Sequence, residues 1–386
     1  MAQVVITGIG AVSPGGWTLA STWKAARLGR SLTTTLSRFD TSRAPTRVAA
    51  TVPGSFDFLP DNSLAVTFGK HAAEEALCQA ATAGGSASPT MAVVASHGER
   101  RMPTKSTGAL ICSTEEIGQT IARSFGIDRV VTGHGACASG TISLGVAARY
   151  VSSGRAECVL VGAADSLLND YDFFQFCNLH GMTERECDPH EASCPFDARR
   201  DGFVMSEGAA FFVLESAAHA RNRGASVLAE VRGFGYSQSA FHYVALQPNA
   251  AGPSTAMRRA LDDAGLGPDD IQYINAHGTS TPDNDRCETR AVRNVFGRSA
   301  ERVLMSSTKS TLGHATAAAG AVEAAICVMA LQDQLAPPTA NLHSPGDGCD
   351  LDYVPLVARQ AQLDNVMSNS FGFGGHNGTL IFGRAA

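Results

Sequence analysis

Residues 130–154 read VVTGHGACASGTISLGVAARYVSSG: a short β-branched run, a glycine-rich turn, then an amphipathic helical stretch. A strand leading through a tight turn into a covering helix is the building unit of an α/β protein. The same alternation extends over nearly the whole chain. Strands are expected at residues 4–7, 91–95, 158–162, 210–215, 229–231, 271–275, 303–306 and 379–382, and helices at 64–81, 139–153, 255–264, 284–296 and 315–332. At 386 residues, with 44% hydrophobic and 17% charged side chains, the chain exceeds one ordinary domain and can bury an extensive core. The polar connector AAHARNRG, residues 217–224, divides it into halves 1–220 and 221–386. Each half opens on a strand entering a glycine-containing turn, VVITGIGAVS and LAEVRGFGYS, a faint similarity that points to duplication.

Several function classes are excluded at this level. The net charge is −6, and no Lys/Arg cluster interleaves with aromatic residues, so no nucleic-acid surface is expected. The opening MAQVVITGIG has no basic segment ahead of an apolar one and reads as a strand, not a secretion leader. The apolar run 315–331 contains Glu323 and is expected to be a buried helix, not a membrane span, which makes the protein cytoplasmic. Ten cysteines without a CxxC pair fit reduced thiols, and with no HExxH-like cluster no metal is expected. Gly8 and Gly10 after the first strand could begin a dinucleotide fingerprint. Pro14-Gly15-Gly16 interrupts the helix that reading needs, and the first acidic residue comes only at Asp40.

Chemistry is concentrated in four glycine-rich turns. Cys137 stands where the helix of the opening unit begins, flanked by small residues that permit a sharp turn and close approach of a substrate; free N–H groups there would favour a thiolate. A lone cysteine is otherwise packing, and that reading is kept for the other nine. His277 ends the strand of IQYINAHGTSTP, at the edge where open α/β sheets receive ligands. In SSTKSTLGHA, His314 precedes a helix, where the dipole should hold it neutral. Lys309 in the same segment is one of four lysines against 26 arginines, a point charge at a chosen place. The fourth segment, SNSFGFGGHNG at residues 368–378, is expected to lie between strands and to expose N–H groups suited to an oxyanion hole, with a plain hairpin turn as the competing reading.

Six ordered stretches then carry a resemblance: VVITGIGAVSPGG, ACASG, PFDARRDGFVMSEGAA, NAHGTSTPDND, SSTKSTLGHATAAAGAVEA and NSFGFGGHNGTLIF. Together they resemble the elongating β-ketoacyl-[acyl carrier protein] synthases, the thiolase-fold condensing enzymes of fatty acid and type II polyketide synthesis. The resemblance implies a five-layered αβαβα fold of two similar halves, the first holding the nucleophile and the dimer contacts and the second the two histidines. It implies Cys137 as the acylated nucleophile, His277 and His314 as the pair acting on a malonyl thioester, and Lys309 and Glu323 as their polar support. Phe373, with Gly374, is the implied gate, its N–H joining that of Cys137 in the oxyanion hole; Thr279, Thr281 and Phe371 are the implied substrate-binding residues. No cofactor is implied beyond the phosphopantetheine arm of an acyl carrier protein, the partner expected alongside a second ketosynthase-like subunit in a homodimer or heterodimer.

The chain also departs from that pattern. The segment between Val94 and Cys137 is short, with His97-Gly98 where a glycine-rich loop is usual; His134, Ser239 and His376 are likewise unusual at their positions. These departures point to a specialised polyketide or polyene pathway. The short segment, residues 97–117, is expected to leave the acyl tunnel to be completed by the other subunit. The alternative is a non-condensing subunit resembling a chain-length factor; retention of Cys137, His277 and His314 argues against it.

Overall fold

The computed structural model describes residues 2–54, 63–82, 85–101 and 110–385. The ten strands of its main sheet are β1 (Val4–Val12), β2 (Met91–Ala95), β3 (Val130–Gly133), β4 (Cys158–Asp165), β5 (Gly208–Ser216), β6 (Ala229–Gln238), β7 (Tyr273–Asn275), β8 (Leu304–Ser306), β9 (Asn365–Gly372) and β10 (His376–Gly383). Their spatial order is β8-β7-β9-β10-β6-β1-β5-β4-β2-β3. Read outward from the centre, each half runs first, fifth, fourth, second, third strand. The pairings repeat as well: first to fifth and fifth to fourth are antiparallel, whereas fourth to second and second to third are parallel. The chain is therefore a duplicated fold, and the halves join where β1 and β6 pair antiparallel over Val4–Ile6 and 229–231.

Six helices account for the layers: α1 (Leu64–Ala81), α2 (Thr114–Arg123), α3 (Ser139–Ser152), α4 (Ala251–Ala264), α5 (Pro282–Phe296) and α6 (Ala319–Asp333). α1 and α2 cover the outer face of the first half and α4 that of the second, with α5 packed on α4. Between the halves lie α3 and α6, which touch each other and strands of both. This is the five-layered αβαβα thiolase-like arrangement. The central helices approach closely because both present small residues; a Cβ on Gly140 of α3 would lie 2.6 Å from the Ala321 nitrogen of α6. With the preceding turn, α6 is long and apolar enough to cross a membrane by length and composition. Its sequence is apolar all round because both its faces meet a sheet, and 83% of that stretch is buried in the protein.

Two expectations need correction. The segment 368–378, expected to lie between strands, begins inside one: residues 365–372 form a full strand, although NVMSNSFG is a poor strand former. Burial between β7 and β10 overrides propensity, and the polar side chains find partners: Ser370 bonds Thr141 at 2.8 Å, and Asn369 bonds Glu288 and Thr379. The glycine-rich segment that follows is the turn of a β9–β10 hairpin closed by Gly372 opposite His376, so the competing reading describes its geometry. The apolar run begins with a single 3₁₀ turn at Thr316–Ala318 before α6 starts at Ala319. In the short segment singled out before Cys137, residues 102–109 lie outside the described residues.

Candidate active site

Cys137 occupies a 3₁₀ turn, Ala136–Ala138, between β3 and α3. Ala136 has φ +49°, a left-handed conformation rare without glycine, and this sharp bend lifts the thiol out of the strand-to-helix path. The thiol is buried, and burial pushes it up to about 12. The Lys309 charge and the N–H groups of Phe373 and of Cys137 itself pull the other way without reversing it. The resting group is thus a neutral thiol, not the depressed thiolate expected from the helix N-terminus alone.

The end of β9 presses against this turn. A Cβ on Gly372 would come within 2.5 Å of the Gly135 carbonyl oxygen and 3.0 Å of the Cys137 nitrogen, so glycine is required for the hairpin to deliver Phe373 to the sulfur. Gly374 donates its N–H to the Tyr243 carbonyl at 2.7 Å, which occupies it elsewhere than the oxyanion pocket. With φ +77° it serves the turn.

His277 follows β7 and is buried. Its N–H and that of Gly278 both donate to the Glu288 carboxylate, at 2.9 and 2.8 Å. Lys309 Nζ donates to the His277 carbonyl at 2.7 Å and lies 3.4 Å from its Nδ1. A cation beside Nδ1 makes that atom the acceptor and places the ring proton on Nε2. Burial first, then the Lys309 charge, then His314, hold His277 well below the usual histidine range. His314 is depressed likewise by burial, Lys309 and His97. It is neutral as expected, but burial and a neighbouring cation are the causes here. Its Nδ1 is buried without a hydrogen-bond partner among the described residues, and a lone pair tolerates that better than an N–H. The two imidazoles meet edge to face with centroids 5.4 Å apart, and Phe203 packs against His314.

Lys309 is fully enclosed and paired with Glu323 of α6, whose carboxyl burial raises to about 7 against the Lys309 charge. One cavity of about 270 Å³ is walled by Cys137, His277, His314, Phe371 and Phe373, with Thr279 and Thr281 on its rim. The two threonine hydroxyls bond each other at 2.8 Å. Of the catalytic, gate and substrate-binding residues expected from the sequence, all but Lys309, Glu323 and Gly374 line this cavity, and the first two stand directly behind its histidines; the unusual His97, His134, Ser239 and His376 lie outside its lining. Glu288 and Asp165 were not anticipated. An acidic residue in a helix, next to the buried Cys287, gives little warning, yet Glu288 is flanked at helical spacing by inward Ala291 and Val292; Asp165 ends the otherwise apolar strand CVLVGAAD.

Residues 71–220 match the family described as "Beta-ketoacyl synthase, N-terminal domain", and residues 228–343 match "Beta-ketoacyl synthase, C-terminal domain". The 3-oxoacyl-[acyl-carrier-protein] synthase 2 of Coxiella burnetii is 38% identical over 99% of this chain and 98% of its own length. A solved type II polyketide ketosynthase assembly, AntDE with its acyl carrier protein AntF, matches with TM-score 0.89 and 28% identity over all of both chains. The ishigamide ketosynthase/chain length factor matches with TM-score 0.86 and 31% identity, again over both whole chains. The chain belongs to the β-ketoacyl synthase family. It is a condensing ketosynthase, an acyltransferase of fatty acid or polyketide synthesis.

Proposed function

We propose that Cys137 carries the acyl group and that His277 and His314 serve the malonyl half-reaction of a decarboxylative Claisen condensation. The observation that carries this reading is the single cavity where a buried thiol meets two neutral imidazoles and two N–H groups aimed at sulfur. In the first step the Cys137 sulfur forms a thioester with the acyl carbon, the carbon–sulfur bond to phosphopantetheine breaks, and the thiol proton leaves with that arm. A malonyl thioester then enters and loses carbon dioxide. The electron pair moves onto the thioester oxygen, where His277 Nε2–H and His314 donate hydrogen bonds. Neutral donors suit this step, because a cationic imidazolium would itself be expensive to bury beside Lys309.

The enolate carbon attacks the acyl carbonyl, and the N–H groups of Cys137 and Phe373 stabilise the oxyanion. Collapse releases the Cys137 thiolate, which takes up one proton and restores the thiol. Lys309 fixes the His277 tautomer, Glu323 balances its charge, and Glu288 fixes the turn; none of these needs to touch substrate. No metal or redox cofactor enters, since the thioesters supply the activation. The acyl carrier protein is the partner, as in the AntDE assembly. β3 is one of the sheet's two edge strands among the described residues, β8 being the other, and a second ketosynthase-like subunit covers β3, as a homodimer or a heterodimer of the kind named for the ishigamide protein. The protein works in the cytoplasm, in a specialised polyketide or polyene pathway.

Intact-protein mass spectrometry after exposure to acyl carrier protein loaded with a medium-chain acyl group tests the reading. One acyl adduct on Cys137, absent from Cys137→Ala, is expected. An adduct on another cysteine overturns it.

A further inference from the structure

Asp165 ends β4 with no exposed surface and gathers five donors on one carboxylate. Oδ1 accepts from the Ser96 hydroxyl at 3.2 Å and the His97 N–H at 3.1 Å. Oδ2 accepts from His97 Nδ1 at 2.7 Å, from the Ala317 N–H at 2.9 Å, and from the Thr316 hydroxyl. The first three donors belong to the half that carries Cys137; the last two belong to the other half and follow His314 by two and three residues. His97, one of the departures noted in the sequence, therefore gives both its backbone N–H and its ring to this carboxylate. Asp165 is held below the usual carboxylate range although buried: burial opposes this, and the interaction with His97 and the hydrogen bonds from His97, Thr316 and Ala317 prevail.

The duplication gives the contact its meaning. β4 and β9 are the fourth strands of their halves, and each ends against the turn that opens the other half's central helix. Where β9 ends, the Cys137 N–H is left facing the sulfur beside the Phe373 N–H. Where β4 ends, the equivalent Ala317 N–H is filled by a carboxylate. Asp165 thus caps the N-terminus of the Thr316–Ala318 turn, and of α6 behind it, from across the boundary between halves. Thr316, at φ +48°, needs such a restraint to hold its conformation.

We propose that Asp165, with the His97 ring as its hydrogen-bond partner and Thr316 as its grip, is a positioning residue for the malonyl half-reaction, fixing His314 relative to Cys137. The proposal rests on the reading of His314 as a donor to the developing enolate. A donor displaced by about 1 Å costs up to about a hundredfold in rate; the thiol feels Asp165 as a charge that raises it, which the Thr316 variants leave in place.

The test compares two half-reactions in Asp165→Asn, Thr316→Val and Thr316→Ser: acylation of Cys137 by acyl carrier protein, and decarboxylation of malonyl carrier protein. Asp165→Asn is expected to lower the decarboxylation kcat by about 10- to 100-fold with KM within about threefold of the parent, and, because it also removes a charge that raises the Cys137 thiol, to leave acylation equal to or faster than the parent's. Thr316→Val should show the same split at about 3- to 10-fold, and Thr316→Ser, which keeps the hydroxyl, should restore the parent rate. The threonine pair decides the matter if Asp165→Asn fails to fold. Equal losses in both half-reactions, or no loss in either, overturn the proposal. His314→Ala in the same assay separates the two ideas: full decarboxylation there refutes the role of His314, whereas a loss there with none in the Asp165 and Thr316 variants refutes the positioning alone.

Discussion

The turns that open α3 and α6 are copies of one device with opposite contents. Each begins on a non-glycine residue in the left-handed region, Ala136 at φ +49° and Thr316 at φ +48°, makes one 3₁₀ turn, and runs into a buried helix between the sheets. Even the residues correspond, HGACASG at 134–140 against HATAAAG at 314–320. In the first copy the second residue of the turn is the thiol and its N–H is kept for chemistry. In the second that residue is Ala317, its N–H is closed by Asp165, and the leading histidine has moved into the cavity. The comparison shows how duplication makes an active site: one copy keeps an open donor and acquires a nucleophile, while the other gives up its donor to become a mount.

The largest effect should come from removing the two donors of the histidine side, His314 on the second copy and His277 after β7. His277→Ala or His314→Ala is expected to lower condensation by about 10²- to 10³-fold each, because each deletes one donor to the enolate. Acylation of Cys137 should stay within a few fold, as the first copy is complete without them. Rapid-quench measurement of both half-reactions checks this; equal losses would mean that the two turns do not divide the labour.

A smaller effect sharpens the first copy. Gly372→Ala puts a methyl group 2.5 Å from the Gly135 oxygen, so the hairpin must retreat and take the Phe373 N–H with it. Acylation is expected to slow by about tenfold and unfolding free energy to fall by about 1–3 kcal/mol, the ordinary cost of overpacking. An unchanged acylation rate with normal stability would show that the contact between β9 and the Cys137 turn is incidental.

Much of this was legible in the sequence because it is local. A thiol between small residues at a helix start, a histidine ending a strand, and a lone lysine in an uncharged stretch advertise themselves within ten residues. Cys137, His277, His314 and Lys309 were found that way, and Glu323 and Phe373 by resemblance. What was missed is long-range. Asp165 looks like the polar end of an apolar strand until Thr316 and Ala317 arrive from 151 and 152 positions away. The strand at 365–372 looks like a loop because its asparagines and serines have partners on other elements. The thiol's upward shift depends on enclosure by both halves, which no helix-dipole argument contains.

The copies also differ in what holds them, and pH should expose it. The Cys137 turn is held by neutral groups, backbone contacts and the Ser139 hydroxyl that bridges the Gly135 N–H and the Ala136 carbonyl, whereas the histidine side is held by the buried carboxyl groups of Glu288, Glu323 and Asp165. Glu288 caps the N–H groups of His277 and Gly278 with no ion-pair partner among the described residues, and burial raises it from 4.5 to about 7. A carboxyl whose folded value lies above its unfolded one binds its proton more tightly when folded. Its contribution to stability is present below about 4.5 and is lost as pH rises toward 7. At 1.36 kcal/mol per unit the loss is at most about 3 kcal/mol. Glu288→Gln keeps an acceptor for one N–H and removes the titration, so its stability should vary less between pH 5 and 7 than that of the parent, as followed by urea denaturation. The Gly372→Ala variant, which disturbs only the backbone-held copy, should retain the parent's slope. If Glu288→Gln also retains it, the histidine side does not depend on a buried carboxylate at this position, and the contrast between a backbone-held and a charge-held turn fails there.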